Sequence, residues 1–120
     1  MCGIAGIARR EPRGVSPDTL RRMAAVLHHR GPDGYGLFTG NSVGLAHTRL
    51  GIIDLEGGAQ PLANEDGSVI VVYNGEVYNY AEFRARLEAQ GHHFRSRSDT
   101  EAILRLYQQR GPEMLNDLRG

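Results

Sequence analysis

Cysteine is nearly absent from this 120-residue chain. Cys2 is the only one, which excludes an internal disulfide framework and suits a reducing, cytoplasmic setting. Net charge is absent too. Fourteen basic residues offset 14 acidic ones, so nothing argues for nucleic acid or an acidic membrane surface as partner. No apolar run approaches the ~20 residues of a membrane span. The first residues lack the basic, apolar and small-residue succession of a secretory signal. There is no Gly-Lys-Ser/Thr, and Gly31-Pro32-Asp33-Gly34-Tyr35-Gly36 does not match a phosphate loop, so no ATP site is visible. His28, His29, His47, His92 and His93 include no i, i+4 pair, which argues against a metal site. Internal repeats and low-complexity linkers are also missing. What is present, 40% hydrophobic and 23% charged, fits one soluble globular domain. Its 16 glycines imply many tight turns or close backbone approaches.

Residues 3–8, Gly-Ile-Ala-Gly-Ile-Ala, read as a short buried strand with Ile4 and Ile7 as its bulk. Ser16-Pro17 starts a helix, and Leu20, Met23, Ala24 and Leu27 then share one face. Residues 30–34 break that helix, and two strands, 35–39 and 42–47, surround a Gly40-Asn41 hairpin turn. Residues 51–67 form a long irregular stretch, of the kind that is usually functional or disordered. The β-branched run 68–73 predicts a central strand, closed by the sharp Asn74-Gly75 turn. Asn79 is placed to cap a helix that runs through Gln90, with Phe83 and Leu87 inward and Gly91 as its stop. Residues 93–96 suggest a short strand. Asp99 or Thr100 opens a helix through Gln109, Gly111-Pro112 breaks it, and a last short helix carries Met114, Leu115 and Leu118. This order is not a clean alternation of strand and helix, so the reading is a layered α+β domain.

Cys2 follows Met1 directly, and methionine is generally trimmed before a small residue. Removal places a thiol and a free α-amine on one residue. An α-amine titrates near 7.7–8.0 and a thiol at about 8.5, so such an amine can serve as base to its own side chain. His47 with Cys2 is a papain-like pair in principle, but the terminal amine makes a histidine base unnecessary. Asn74-Gly75 reads either as a plain turn or as an oxyanion hole, in which a side-chain amide and a glycine N–H converge on a developing negative charge. Arg49 is either a surface ion-pair partner or a bidentate clamp on a carboxylate. Asp99 is either a helix cap or a holder of an ammonium group. A cation and an anion on separate loop ends suit an α-amino acid.

Six ordered segments carry a resemblance: residues 1–6, His29 to Asp33, Ala46 to Leu50, Gly58 to Leu62, Tyr73 to Asn79, and Ser98 to Glu101. Together they resemble the N-terminal glutaminase domain of class II glutamine amidotransferases, a branch of the N-terminal-nucleophile hydrolases. The stretches around Gln60-Pro61-Leu62 and Asn74 to Asn79, and the tail from Leu106 to Gly120, are similar to glutamine-hydrolysing asparagine synthetases. The resemblance implies a four-layer αββα sandwich. It implies Cys2 as nucleophile on the glutamine side-chain amide, with Asn74 and Gly75 as oxyanion donors. It also implies Arg49 on the α-carboxylate, Leu50, Gly51, Ile52 and Ile53 as pocket wall, and Asp99 with Glu76 near the α-ammonium. Glutamate and ammonia are the implied products. The implied partner is a synthetase domain that activates aspartate with ATP and Mg²⁺, in an enzyme able to form homodimers. No cofactor or metal is expected on residues 1–120. The family's domain runs on past a Leu-x-Gly such as Leu118 to Gly120, so the expectation is an incomplete glutaminase domain. Two other readings stand beside it: the same chemistry serving a sugar or cell-envelope precursor, and a non-catalytic fragment that only binds an amino acid or a partner.

Overall fold

The computed structural model describes residues 1–51 and 58–120. Along the chain come β1 (Gly3–Ala8), α1 (Pro17–Val26), β2 (Gly34–Thr39), β3 (Val43–Arg49), β4 (Leu62–Ala63), β5 (Ile70–Val71), α2 (Tyr80–Ala89), α3 (Asp99–Arg110) and a closing 3₁₀ turn, Gly111–Asn116. The architecture is α+β. Among the described residues no helix is long and apolar enough to cross a membrane.

The first half is a three-stranded antiparallel sheet in the order β1-β3-β2. Its β2–β3 turn is the expected hairpin, with Thr39 opposite Gly44. Strand alternation sorts its two faces. On one face Val15, Leu20, Ala24 and Ala46 form a small core, with Ala5, Ile7, Met23 and Leu37 packed against it. The helix of this core, α1, begins at Pro17 after Ser16, as its sequence dictates. Thr48 Oγ1 ties the two elements by donating to the Leu27 carbonyl at 3.2 Å. On the other face Ile4 is 47% and Val43 40% exposed. The expectation of a buried first strand is therefore met only in part: Ile7 is half-buried and Ile4 exposed.

The second half packs α2, α3 and the 3₁₀ turn around Val77, Phe83, Leu87, Ile103, Leu106 and Met114. Helix α2 ends where expected. Gly91 has φ 93°, its N–H donates to the Glu88 carbonyl at 3.0 Å, and His92 N–H reaches the Leu87 carbonyl at 3.0 Å. These paired bonds satisfy carbonyls that the helix end would otherwise leave unpaired.

Three expectations need correction. The run 68–73 is not a central strand: only Ile70–Val71 is strand, paired with Leu62–Ala63 in a separate two-stranded sheet. β-branched composition favours an extended chain but does not supply a partner, and here the partner is two residues long. Residues 93–96 form no strand, because a carboxylate takes their backbone donors. Glu101 accepts from Arg95 N–H at 3.0 Å and from Ser96 N–H at 2.7 Å. Asn79 precedes α2 but makes no side-chain cap. Its amide instead donates to the Asp117 carbonyl at 2.9 Å and accepts from Arg119 N–H at 3.0 Å, stitching the tail to the start of the helix.

Candidate active site

Cys2 lies one residue before β1. Because β1 runs antiparallel to β3, with Gly3 opposite Thr48, Cys2 lands beside the end of β3. Its half-buried thiol receives the Leu50 N–H at 3.4 Å and lies 3.8 Å from the Leu50 carbonyl. Arg30 Nε donates to the Cys2 carbonyl at 3.1 Å. Three residues on, Asp33 N–H donates to the Arg49 carbonyl at 2.9 Å, and Asp33 Oδ2 accepts from Gly51 N–H at 2.8 Å. The turn after α1 thus grips Cys2 on one side and residues 49–51 on the other.

Gly31 makes that grip possible. It is buried, and a β-carbon there would stand 2.5 Å from Arg49 N, against backbone that cannot swing aside. Gly31→Ala is expected to cost about 1–3 kcal/mol, the usual penalty of overpacking. Urea unfolding would read this as a lower midpoint at an unchanged slope.

The second cluster follows β5. Tyr73 N–H donates to Gln60 Oε1 at 2.6 Å. Asn74 is half-buried, while Gly75 and Glu76 are exposed. The Tyr73 ring folds over Gly75, where a β-carbon would stand 2.5 Å from the phenol oxygen. Burial first, then the negative charges of Asp99 and Glu76 and the neighbouring Tyr78, push the Tyr73 phenol up. Val77 N–H closes the turn by donating to Asp99 Oδ2 at 2.9 Å. Asp99 is not the cap of α3. Ser98 is, its hydroxyl accepting from Thr100 N–H at 3.1 Å. The Asp99 carboxylate is therefore directed at the Asn74–Val77 segment.

Two buried groups set the pH response. Burial lowers the His47 pKa; the Tyr73 carbonyl pulls it up and the Arg49 charge lowers it, and the net direction is down. Burial raises Glu101, but the hydrogen bonds from Arg95, Ser96 and Arg105 outweigh it and hold the carboxyl below its ordinary range. Both groups have depressed folded-state values. Each therefore contributes stability above its unfolded pKa and loses it as pH falls through the folded one. For His47 the loss begins below about 6.5, and for Glu101 below about 4.3. Glu101→Gln is expected to flatten the lower limb of a stability-against-pH curve measured by denaturant unfolding. At neutral pH it should cost about 3 kcal/mol, the lower end for breaking a buried pair, since Glu65 still faces Arg105.

The structure brings Cys2, Leu50 and Gly51 together at the end of β3, beside Arg49, and gathers Asn74, Gly75, Glu76 and Asp99 into the second cluster. Ile52 and Ile53 lie outside the described residues. Sequence reading gave no role to Arg30, Asp33 or Gln60. Their one signal was membership of the ordered segments, since their contacts span 28, 18 and 13 residues.

A family profile described as a glutamine amidotransferase domain matches residues 1–120. The chain is 42% identical over 123 residues to asparagine synthetase (glutamine-hydrolyzing) 1 of Bacillus subtilis strain 168, covering 100% of this chain and 20% of that protein. It is 40% identical over 124 residues to asparagine synthetase B of Escherichia coli K12, covering 100% of this chain and 22% of the relative. Against the asparagine synthetase of Sandersonia aurantiaca it is 43% identical over 126 residues, with 100% and 23% covered. The chain spans about a fifth of the length of these curated relatives. A family match over residues 1–120 and a thiol placed at the end of a strand pair agree: the chain belongs to the glutamine amidotransferase domain family.

Proposed function

We propose that this chain is the glutaminase part of a glutamine-hydrolysing asparagine synthetase. The observation that carries the reading is the Cys2 thiol, held against the Leu50 N–H at 3.4 Å directly behind a Met1 that is 71% exposed. An exposed Met1 is open to an aminopeptidase, and its removal frees the Cys2 α-amine. That amine takes the thiol proton, and the sulfur attacks the side-chain amide carbon of glutamine. The Asn74 side-chain amide and the Gly75 N–H receive the oxyanion. Collapse breaks the carbon–nitrogen bond, the proton returns to the leaving nitrogen, and ammonia departs from a γ-glutamyl thioester. Water, deprotonated by the same amine, hydrolyses the thioester to glutamate. Arg49 holds the substrate α-carboxylate, Asp99 and Glu76 its α-ammonium, and residues 50–53 the pocket wall.

The wider assembly is part of the same proposal. The exposed Ile4 and Val43 on the sheet face opposite α1 support a second sheet there, as in a four-layer αββα sandwich. The relatives' names support asparagine as the product that receives the nitrogen. Activation of aspartate by ATP and Mg²⁺ falls to a synthetase domain beyond residues 1–120, in a cytoplasmic enzyme open to homodimerisation. Among the described residues no three His, Cys, Asp or Glu side chains are grouped to hold a metal ion, and no step above is routed through one.

The test pairs intact mass with ammonia release. The active species is expected to lack Met1 and to release one ammonia per glutamate formed. Activity in a form that retains Met1, or that carries an acetylated Cys2, contradicts the amine-as-base mechanism.

A further inference from the structure

The two-stranded sheet ends at Val71, two residues short of the proposed oxyanion turn at Asn74-Gly75. Its register pairs Leu62 with Val71 and Ala63 with Ile70. Continued, that register sets Pro61 opposite Val72 and Gln60 opposite Tyr73. Proline has no N–H to extend a ladder, and the Gln60 carbonyl is turned onto Gly36 of β2, where any β-carbon would overlap it. The Tyr73 N–H would then face the ladder's end without a backbone partner. The Gln60 side chain supplies one. Its Oε1 accepts that N–H at 2.6 Å, while its Nε2 donates to Thr100 Oγ1 at 3.3 Å. Thr100 is buried, 3% exposed, and sits in the first turn of α3 beside Asp99, whose carboxylate takes Val77 N–H at 2.9 Å.

We propose that Gln60 is a positioning residue for glutamine hydrolysis: its amide ties Tyr73 to the first turn of α3 and so sets where Asn74 and Gly75 present their donors. The inference rests on the glutaminase reading above. Two tethers from one helix turn bracket the oxyanion segment, Gln60 through Thr100 before it and Asp99 after it. The role needs an acceptor and a donor on one side chain, which glutamine provides and an isosteric apolar residue does not. Nothing in it requires Gln60 to touch substrate. Loosening Tyr73 displaces the donors from a transition state that forms only during attack, while Arg49 and Asp99 still bind the amino-acid head group.

Gln60→Leu should therefore lower kcat for glutamine by about tenfold to a hundredfold, the scale of a misplacement near one ångström, and leave KM nearly unchanged. Thr100→Val, which removes only the far end of the tether, should lower kcat less and in the same sense. Amide hydrogen exchange supplies a readout independent of turnover. Tyr73 N–H should exchange faster in Gln60→Leu, with the β1–β3 amides unaffected. Unchanged Tyr73 protection in both variants would overturn the proposal, as would a raised KM at constant kcat, which marks a binding role. If the unmodified chain releases no ammonia from glutamine, the glutaminase reading fails by itself, and the exchange at Tyr73 still decides whether the tether exists. A Gln60→Leu chain that does not fold leaves Thr100→Val to decide by the same two readouts.

Discussion

Cys2→Ala is expected to abolish glutamine hydrolysis while leaving glutamine binding largely intact. The thiol forms the covalent bond in the proposed reaction, and no other cysteine exists in the chain to replace it. The proposed binding groups sit elsewhere: Arg49 at the end of β3, and Asp99 in the first turn of α3. Alanine removes the Leu50 contacts to sulfur but keeps the backbone contact at this point. Arg30 bonds the Cys2 backbone carbonyl at 3.1 Å, not the side chain. Calorimetry should therefore give a dissociation constant close to the unmodified one, beside no ammonia release. Substantial turnover in Cys2→Ala would remove the nucleophile from the mechanism. A lost affinity with an intact fold would show that the thiol contributes to binding.

The second large effect belongs to Asn74. Asn74→Ala is expected to reduce turnover ~10²–10³-fold, equivalent to about 2.7–4 kcal/mol of transition-state stabilisation, with a small change in KM. The effect falls on turnover because the oxyanion exists only after attack has begun. The turn itself should survive the substitution, since Tyr73 and Val77 anchor it on both sides through Gln60 and Asp99 at 2.6 and 2.9 Å. Steady-state kinetics separate the cases. A rise in KM at constant kcat would assign Asn74 to ground-state binding, and near-normal kinetics would make Asn74-Gly75 a plain turn.

Much of the fold was legible because its signals are local. Residues 3–8 became β1 with the bounds read from the sequence, and Gly40-Asn41 made the hairpin. Ser16-Pro17 opened α1, and Gly91 closed α2 through two carbonyl-capping bonds. The misreadings share one cause, which is that partners decide what propensity only permits. Residues 68–73 have the composition of a central strand but pair over Ile70–Val71 alone, since Pro61 ends the opposing strand. Residues 93–96 read as extended, but Glu101 takes their N–H groups before a ladder can. Asn79 has the right chemistry for a cap and spends it on Asp117 and Arg119.

The site divides in the same way. Cys2, Asn74, Gly75, Arg49 and Asp99 stood out as candidates because unusual chemistry stands at element ends. That Asp99 does not cap its helix became visible only when Ser98 was seen to do so. Arg30 behind Cys2 and Asp33 across Gly51 act at sequence separations of 28 and 18 residues. Composition carries no trace of contacts so distant in the chain.

The most direct test of the central claim is to mix the chain with glutamine, quench in acid within the first turnover, and measure the mass of the N-terminal peptide. The account predicts a peptide that begins at Cys2 and carries one γ-glutamyl group as a thioester, removable by hydroxylamine and absent from Cys2→Ala. Glutamine consumed at the same rate with no adduct, or with an adduct on any residue other than Cys2, would contradict it.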